Sequence, residues 1–304
     1  MSSSLLAAGP EAAPAPASTP PEGRRTLRVL GIPFLRARYL LASLGLAAIV
    51  LAAVVGPLLV PFDPAEQDIA LRLKPPGTDG HLLGTDALGR DVLVRVLAGG
   101  RISLMVGLTG ATLAAIVGIV LGMIAGYREG RIGTLIMGFV DAQLAFPFIL
   151  LALVFVATLG SSLLIVMAVV ALSSWVDFAR PMHAMVLSLK RRDFVTAARS
   201  IGASDLLILR QHLFPHILAT AVVIGTLQVA NIILFESALS FLGMGVPPDI
   251  PTWGGMLSES RRYLQVAPWL SILPGLALLV TVFSLSIVGD WLRETLDPHR
   301  EQHR

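Results

Sequence analysis

Five polar side chains interrupt otherwise apolar stretches of this sequence: Asp141, Asp177, Gln228, Asn231 and Glu236. An ionised group at the centre of a bilayer costs about 2.5–3.5 kcal/mol on insertion scales, so such groups face a cavity or a partner helix. Asp177 sits near the end of its apolar run, where solvent or Arg180 satisfies it. Asp141 lies further inside its run, with Pro147 beyond it as a kink. Gln228, Asn231 and Glu236 fall within an arc of roughly 140° at 100° per residue. That arc either lines a solute path or bonds to other helices and specifies packing. The few scattered acids form no dense His/Asp/Glu relay, which argues against a proton-driven carrier.

Other chemistry is poorly supplied. All six histidines (His81, His183, His212, His216, His299 and His303) fall outside the apolar runs, so an intramembrane hydrolase lacks a base at membrane depth. There is no cysteine, which removes disulfides and thiolate metal sites, and no metal site is expected. The two lysines, Lys74 and Lys190, do not follow a glycine, so no GxxxxGK[ST] phosphate loop exists. The chain is therefore expected not to be an enzyme and to hold no cofactor of its own. Of its 304 residues 55% are hydrophobic and 14% charged, with a mean hydropathy of +0.77, a balance that belongs to a polytopic membrane protein. The basic residues cluster beside apolar runs, which signals topology and gives little support to nucleic-acid binding.

The most polar long interruption in the C-terminal half runs from Arg180 to His216, with six Arg or Lys against two acids. Asp193 can cap a short helix whose apolar side is Phe194, Val195, Ala198 and Ile201. Gly202 then breaks it, since glycine tolerates the left-handed backbone that ends helices. Ser204 can cap a second helix with Leu206, Leu209, Leu213 and Phe214 as its stripe, stopped near Pro215. The expectation is a bent, basic elbow pressed against the membrane.

These groups are positioned by long apolar runs. Residues 1 to about 23 are rich in Ala, Pro and Ser, hold no block long enough for a signal peptide, and read as a disordered tail. Arg24, Arg25, Arg28, Arg36 and Arg38 precede the first run, which places the N-terminus in the cytoplasm. The expected division is a basic cytoplasmic tail at 1–38, a first span at 39–61, an external loop at 62–101, a core at 102–292 containing the 180–216 loop, and a cytoplasmic tail at 293–304. Spans two to six are expected near 102–126, 133–158, 161–179, 217–242 and 269–290, each long enough to cross about 30 Å of hydrocarbon. Six helices return the C-terminus, with Arg293, Arg300 and Arg304, to the cytoplasm. The fold class is an all-α polytopic membrane protein.

In the external loop, Gly84 and Gly89 punctuate turns, and Asp91 can cap a short helix carrying Val92, Leu93, Val96 and Leu97. Such a helix would lie flat at the membrane surface until Gly99 and Gly100 end it. It serves either as an interfacial anchor or as a contact for solute or partner. Pro247, Pro248 and Pro251 stiffen a second outer loop, and Trp253 and Trp269 suit the interface.

Three groups of residues together carry a family resemblance. Ala197-Ala198, Gly202, His212 and Pro215 resemble the "EAA" loop of ABC importer permeases, with Thr196 where that loop has glutamate. His81, Leu83-Gly84-Thr85-Asp86, Gly89-Arg90-Asp91-Val92 and Arg101-Ile102-Ser103-Leu104 resemble a segment of the C-type subunit of dipeptide, oligopeptide and nickel importers, with Leu82 for an expected proline. Leu239 to Val246, Pro251-Thr252-Trp253-Gly254, Gly289-Asp290-Trp291-Leu292-Arg293 and Leu296-Asp297-Pro298 are similar to further signatures of that branch.

The resemblance implies a type I ABC importer permease in a bacterial inner membrane, carrying di- or oligopeptides. It implies a B-type permease partner, two ATP-binding subunits holding ATP and Mg, and an extracytoplasmic solute-binding protein. Asp193, Thr196, Ala197, Ala198, Gly202, Ala203, His212 and Pro215 would form the loop that meets the ATPase. Gly84, Thr85, Asp86, Gly89, Arg90, Asp91, Pro251, Trp253 and Gly254 would form the outer docking region, and Asp141, Gln228, Asn231 and Glu236 the path. The alternatives are a nickel or other small-solute importer of the same branch, or an ion-coupled secondary transporter working without an ATPase.

Overall fold

The computed structural model describes residues 23–59, 63–78 and 80–296, excluding the side chains of 23–36 and of 58. The expected disordered tail before 23, the side chains of Arg24, Arg25, Arg28 and Arg36, and the Asp297-Pro298 end of the last motif lie outside the described residues. The chain divides into two units, 1–38 and 39–304.

The elements are helices: α1 Gly23–Leu59, α2 Val92–Tyr127, α3 Arg131–Leu144, α4 Phe148–Leu159, α5 Leu163–Leu189, α6 Asp193–Ser200, α7 Asp205–Leu207, α8 Phe214–Phe241, α9 Trp253–Ser260 and α10 Trp269–Leu296. Five helices are long and apolar enough to cross a membrane: Ala37–Pro57 within α1, α2, α5, the continuous rod Asp205–Phe241, and α10. The expected third span is instead the pair α3 and α4, bent by 88°. Pro147 at the start of α4 has no N–H to continue α3, and the residue before a proline is pushed out of the helical region. Counting this pair gives the expected six.

The centre of the bundle is the contact between α2 and α5, and its cause is a stripe of small residues. Gly110, Ala114, Gly118, Gly122 and Gly126 recur every four residues on one face of α2. A Cβ added at Gly118 would lie 2.3 Å from the Trp175 carbonyl oxygen, and one at Gly122 2.5 Å from that of Ala179. Only the bare backbone of glycine lets the two helices approach this closely, the packing mode that membrane helices use where lipid supplies no hydrophobic drive. α8 packs on α2 through Ile232 and Ile233, which face Gly110 and Gly107.

Three boundaries differ from expectation. α2 does not stop at Gly99-Gly100; it runs unbroken from Val92, capped by Asp91, whose carboxylate accepts from Val94 N at 3.0 Å. No separate interfacial helix exists there. Both glycines stay within the helix, and Trp253 occupies the space a side chain at Gly100 would take, 2.8 Å from a Cβ built there. α5 carries Arg180 and Pro181 inside it and ends at Leu189, so the polar interruption starts about ten residues later than expected. The second elbow helix does not stop at Pro215. A π-turn, Ile208–Leu213, loosens the backbone just ahead of the proline, whose ring would otherwise strike the carbonyl four residues back, and the rod continues to Phe241.

Candidate functional site

At the elbow end, α6 begins at Asp193 with Arg192 in the cap position, so Asp193 lies in the first turn and makes no capping bond. Its charge there complements the positive helix N-terminus. Val195 and Ala198 are buried, as their spacing implies, but Ile201 is 87% exposed. Gly202 has φ +87°, the left-handed conformation expected of it, with no atom within 4 Å of a built Cβ. Ser204 caps α7 by accepting from Leu207 N. The expected second stripe is rotated. Ile208, Leu213 and Ile217 are buried, whereas Leu206 is 74% exposed, because the π-turn sets the first two anchors five positions apart. His212 is half-buried and Pro215 exposed, while the Phe194 ring stacks on His216 at 5.2 Å.

A second set of contacts, invisible to local spacing, fastens this elbow to the bundle. The Tyr127 hydroxyl, at the end of α2, donates to Asp205 Oδ1 at 2.7 Å. Arg199 of α6 donates to the same hydroxyl at 3.1 Å and lies over the ring. Lys190, just past α5, pairs with Glu129 at 2.7 Å and donates to the Tyr127 carbonyl at 3.2 Å. The Lys190 ammonium beside Glu129 holds its carboxyl below the ordinary value. The turn between α2 and α3 is therefore bonded to both arms of the elbow. Thr196, Ala197, Ile201, Gly202 and Leu206 remain on the outside, an exposed surface mixing apolar and polar groups.

The polar residues of the spans sort into two groups. Arg180 Nη2 donates to Asp141 Oδ1 at 2.5 Å, with the two side chains 57% and 62% exposed. Gln228 Nε2 donates to Asp177 Oδ2 at 2.5 Å, and Asn231 Nδ2 reaches Gln228 Oε1 at 3.4 Å. Arg180 thus pairs with Asp141 and Gln228 with Asp177, whereas the sequence pointed Arg180 at Asp177. Gln143 ties α3 to α5: its Nε2 donates to the Leu172 and Ser173 carbonyls, and its Oε1 accepts from Trp175 Nε1 at 2.8 Å. Asp141, Asp177, Arg180 and Asn231 are all exposed. Charges exposed to lipid would each cost several kcal/mol, so this face requires protein or water against it.

Glu236 does not join that face. It is fully buried, accepts from Ser240 Oγ at 2.6 Å, and keeps Oε2 without a hydrogen-bond partner among the described residues. It lies one residue before Ser237, against whose Cα Gly254 of α9 packs. The packing reading holds for Glu236 as it stands, because a fully covered group cannot line an open path.

At the opposite end, the expected docking residues turn out to be buried. Gly84 and Gly89 have φ +76° and +77°, and a Cβ at Gly89 would collide with the Asp68 carbonyl at 1.7 Å. Thr85 bonds the Leu71 carbonyl and accepts from Lys74 N. Asp91 meets His81 Nδ1 at 2.6 Å. Asp86 accepts from Arg90 Nε at 2.7 Å and Arg95 Nη1 at 2.5 Å, and both arginines also reach Glu259 of α9 at 2.8 and 2.7 Å. Burial would raise the Asp86 carboxyl, but the Arg95 and Arg90 guanidiniums and the N–H groups of Leu88 and Arg90 outweigh it and hold it below 3.8. Trp253, expected at the interface, is buried, its Nε1 donating to the Val96 carbonyl at 3.0 Å, and Gly254 is buried beside it. These residues brace α9 against α2, so a docking partner would meet their surroundings, such as exposed Leu82 and Leu88 and half-buried Pro251. A cavity of about 430 Å³ opens beside the ion cluster, reaching Arg262 and Tyr263.

Comparison with known proteins then places the chain. Residues 118–302 match the family of binding-protein-dependent transport system inner membrane components, and residues 34–76 match the N-terminal TM domain of oligopeptide transport permease C. The chain is 41% identical to a di/tripeptide transport system permease protein of Pseudomonas aeruginosa, covering 82% of this chain and 84% of that one. It is 37% identical to an oligopeptide transport system permease protein of Haemophilus influenzae, over 91% and 90% of the two. Its fold is similar to a chain of the MetNI methionine ABC transporter in inward-facing conformations, at TM-score 0.54 and 17% identity, covering 67% of this chain and 96% of that one.

Proposed function

The chain belongs to the family of binding-protein-dependent transport system inner membrane components, and from that premise we propose that it forms half of a peptide translocation path and receives its drive through the elbow. It is a multi-pass permease subunit of an ABC importer. Family membership sets aside the reading as an ion-coupled carrier working alone. Relatives at about 40% identity that are named for di-, tri- and oligopeptides support peptides as cargo over nickel.

The observation that carries the mechanism is the attachment of the elbow. α6 and α7 are bonded to Tyr127 and rest on the apolar cluster of Met123, Met182, Val186, Ile208, Leu213 and Ile217, drawn from α2, α5, the π-turn and α8. A force on α6 therefore reaches three spans together, because close-packed interiors transmit displacement with little compression. In our reading, two ATP-binding subunits lie on the cytoplasmic side, where both termini also lie, and one receives exposed Thr196, Ala197, Ile201 and Leu206. Their closure on ATP moves the elbow as a rigid body and rocks α2, α5 and α8, the bundle-rocking form of alternating access. A B-type permease covers the exposed polar face to complete the path, and a solute-binding protein delivers from the opposite side.

The test is site-directed cross-linking in the assembled complex. A cysteine at Ile201 or Leu206, in this cysteine-free chain, is expected to cross-link to an ATP-binding subunit, with a yield that changes on ATP binding. Cross-linking only to lipid-embedded chains would refute the placement.

A further inference from the structure

We infer that the Asp141–Arg180 ion pair is a transient binding site for solutes that carry an ammonium and a carboxylate together, with Asp177 as a second station for the ammonium. This rests on the reading of the chain as half of a solute path and names the chemistry that path accepts.

Three observations meet at this place. The first is depth. Asp141 lies ten residues into α3 from Arg131, and Arg180 nine residues before the end of α5, so both sit roughly 14–15 Å from the elbow ends of their helices. The second is accessibility. The pair is held by a single contact, Arg180 Nη2 to Asp141 Oδ1, and both side chains are more than half exposed. Asp86 and Arg95 in the outer cluster, by contrast, are enclosed. The third is the backbone beside it. Between α3 and α4 the chain leaves helical geometry at 146–147, just past the cap residue Ala145, and Ala145, Phe146 and Pro147 are all exposed. Irregular backbone at membrane depth is tolerated only where it meets protein or lines a water-filled cavity.

Chemistry follows from the layout. Arg180 lies one helical turn beyond Asp177 on α5, so a cation sits between two carboxylates, one on its own helix and one on α3. A zwitterionic peptide can exchange with the resident pair. Its carboxylate takes the Arg180 guanidinium and its ammonium takes Asp141, while Asp177 keeps the hydrogen bond from Gln228, or the ammonium moves on to Asp177 and leaves Asp141 to water. Because the resident partner competes for each group, the peptide is held weakly and released readily, as conduction requires. Gln228, by bonding Asp177 Oδ2, fixes one station.

The experiment uses the complete importer in proteoliposomes with saturating, loaded binding protein. Uptake is compared for three probes shown to load that protein: free dialanine, its C-amidated form, which lacks the carboxylate, and its N-acetylated form, which lacks the ammonium. The wild type is expected to move free dialanine at least fivefold faster than the amidated form. Arg180→Gln should bring that ratio to about one while ATP hydrolysis stimulated by loaded binding protein stays within twofold of wild type; Arg180→Lys should keep the preference. Asp141→Asn, which leaves Arg180 in place, should reduce preference for the free over the N-acetylated dipeptide. Equal slowing of the free and modified probes in each variant, or a wild type that moves all three alike, overturns the inference. Loss of stimulated ATP hydrolysis in the wild type would instead strike at the importer reading beneath it.

Discussion

The Tyr127 hydroxyl donates to Asp205 Oδ1 at 2.7 Å, and this single bond joins the last residue of α2 to the first residue of α7. The two are 78 positions apart in sequence, and between them lie the bent pair α3 and α4, the span α5 and the short helix α6. Arg199 completes the junction from α6. The elbow is thereby fastened to a span that does not flank it.

Removing that hydroxyl isolates the link. Tyr127→Phe keeps the ring in its apolar cluster and removes two hydrogen bonds, at a stability cost of about 1–2 kcal/mol. In the reconstituted importer, ATP hydrolysis should continue while solute moved per ATP falls several-fold. Unchanged coupling would show that α5 and α8 suffice.

Gly202 tests the bend itself. With open space around it, a substitution there acts only through φ +87°, which costs a side chain about 1–2 kcal/mol. Gly202→Val should assemble normally but hydrolyse ATP with little transport, and Gly202→Asn, which tolerates this conformation, should be nearly wild type. Transport and ATPase rates measured together decide it; wild-type coupling in the valine variant would remove the need for a fixed bend.

Gly122 tests the helix stripe. A Cβ there would lie 2.5 Å from the Ala179 carbonyl and 2.9 Å from Met182 Cβ, neither able to move without shifting α5. Gly122→Val should destabilise the protein by more than the 1–3 kcal/mol of ordinary overpacking. Thermal unfolding in detergent should show a lowered Tm and poor accumulation, whereas Gly138→Ala, with nothing within 4 Å, should be neutral.

The outer ion cluster carries a pH signature. The Asp86 carboxyl is held below 3.8 in the folded chain, so its contribution is fully present above the ordinary carboxylate value and is lost as pH falls through the lower, folded value. Protease resistance of the 63–91 segment should hold at pH 5 and decline below about pH 4. Asp86→Asn should cost roughly 3–5 kcal/mol, since it leaves two buried guanidiniums with Glu259 alone. Full resistance of that variant at neutral pH would contradict the bracing role.

Much of this architecture was legible in the sequence, and the failures share a physical cause. Apolar runs located the spans; Asp91, Ser204 and Gly202 act where their local chemistry places them, because caps and left-handed turns depend on a few neighbouring residues. What escaped depends on distant partners. Gly99 and Gly100 read as a break, yet the helix runs through them, and Trp253, over 150 positions away, fills the space a side chain at Gly100 would need. Pro215 read as a stop, but a π-turn absorbs it and turns Leu206 outward. Arg180 seemed to belong to Asp177 by proximity in sequence, while the fold gives it Asp141 from α3. Glu236 shared an arc with Gln228, yet α9 covers it. The α2 glycine stripe was the one missed feature with a readable signal, small residues repeating every fourth position.

On the proposed function, work done by another chain enters through the bent elbow and opens a path in this one. Uptake into proteoliposomes containing the purified importer, with and without its ATP-binding subunits, tests it most directly. Accumulation should require those subunits and ATP hydrolysis, and should be indifferent to ion gradients. Uphill accumulation driven by an ion gradient in their absence would contradict it.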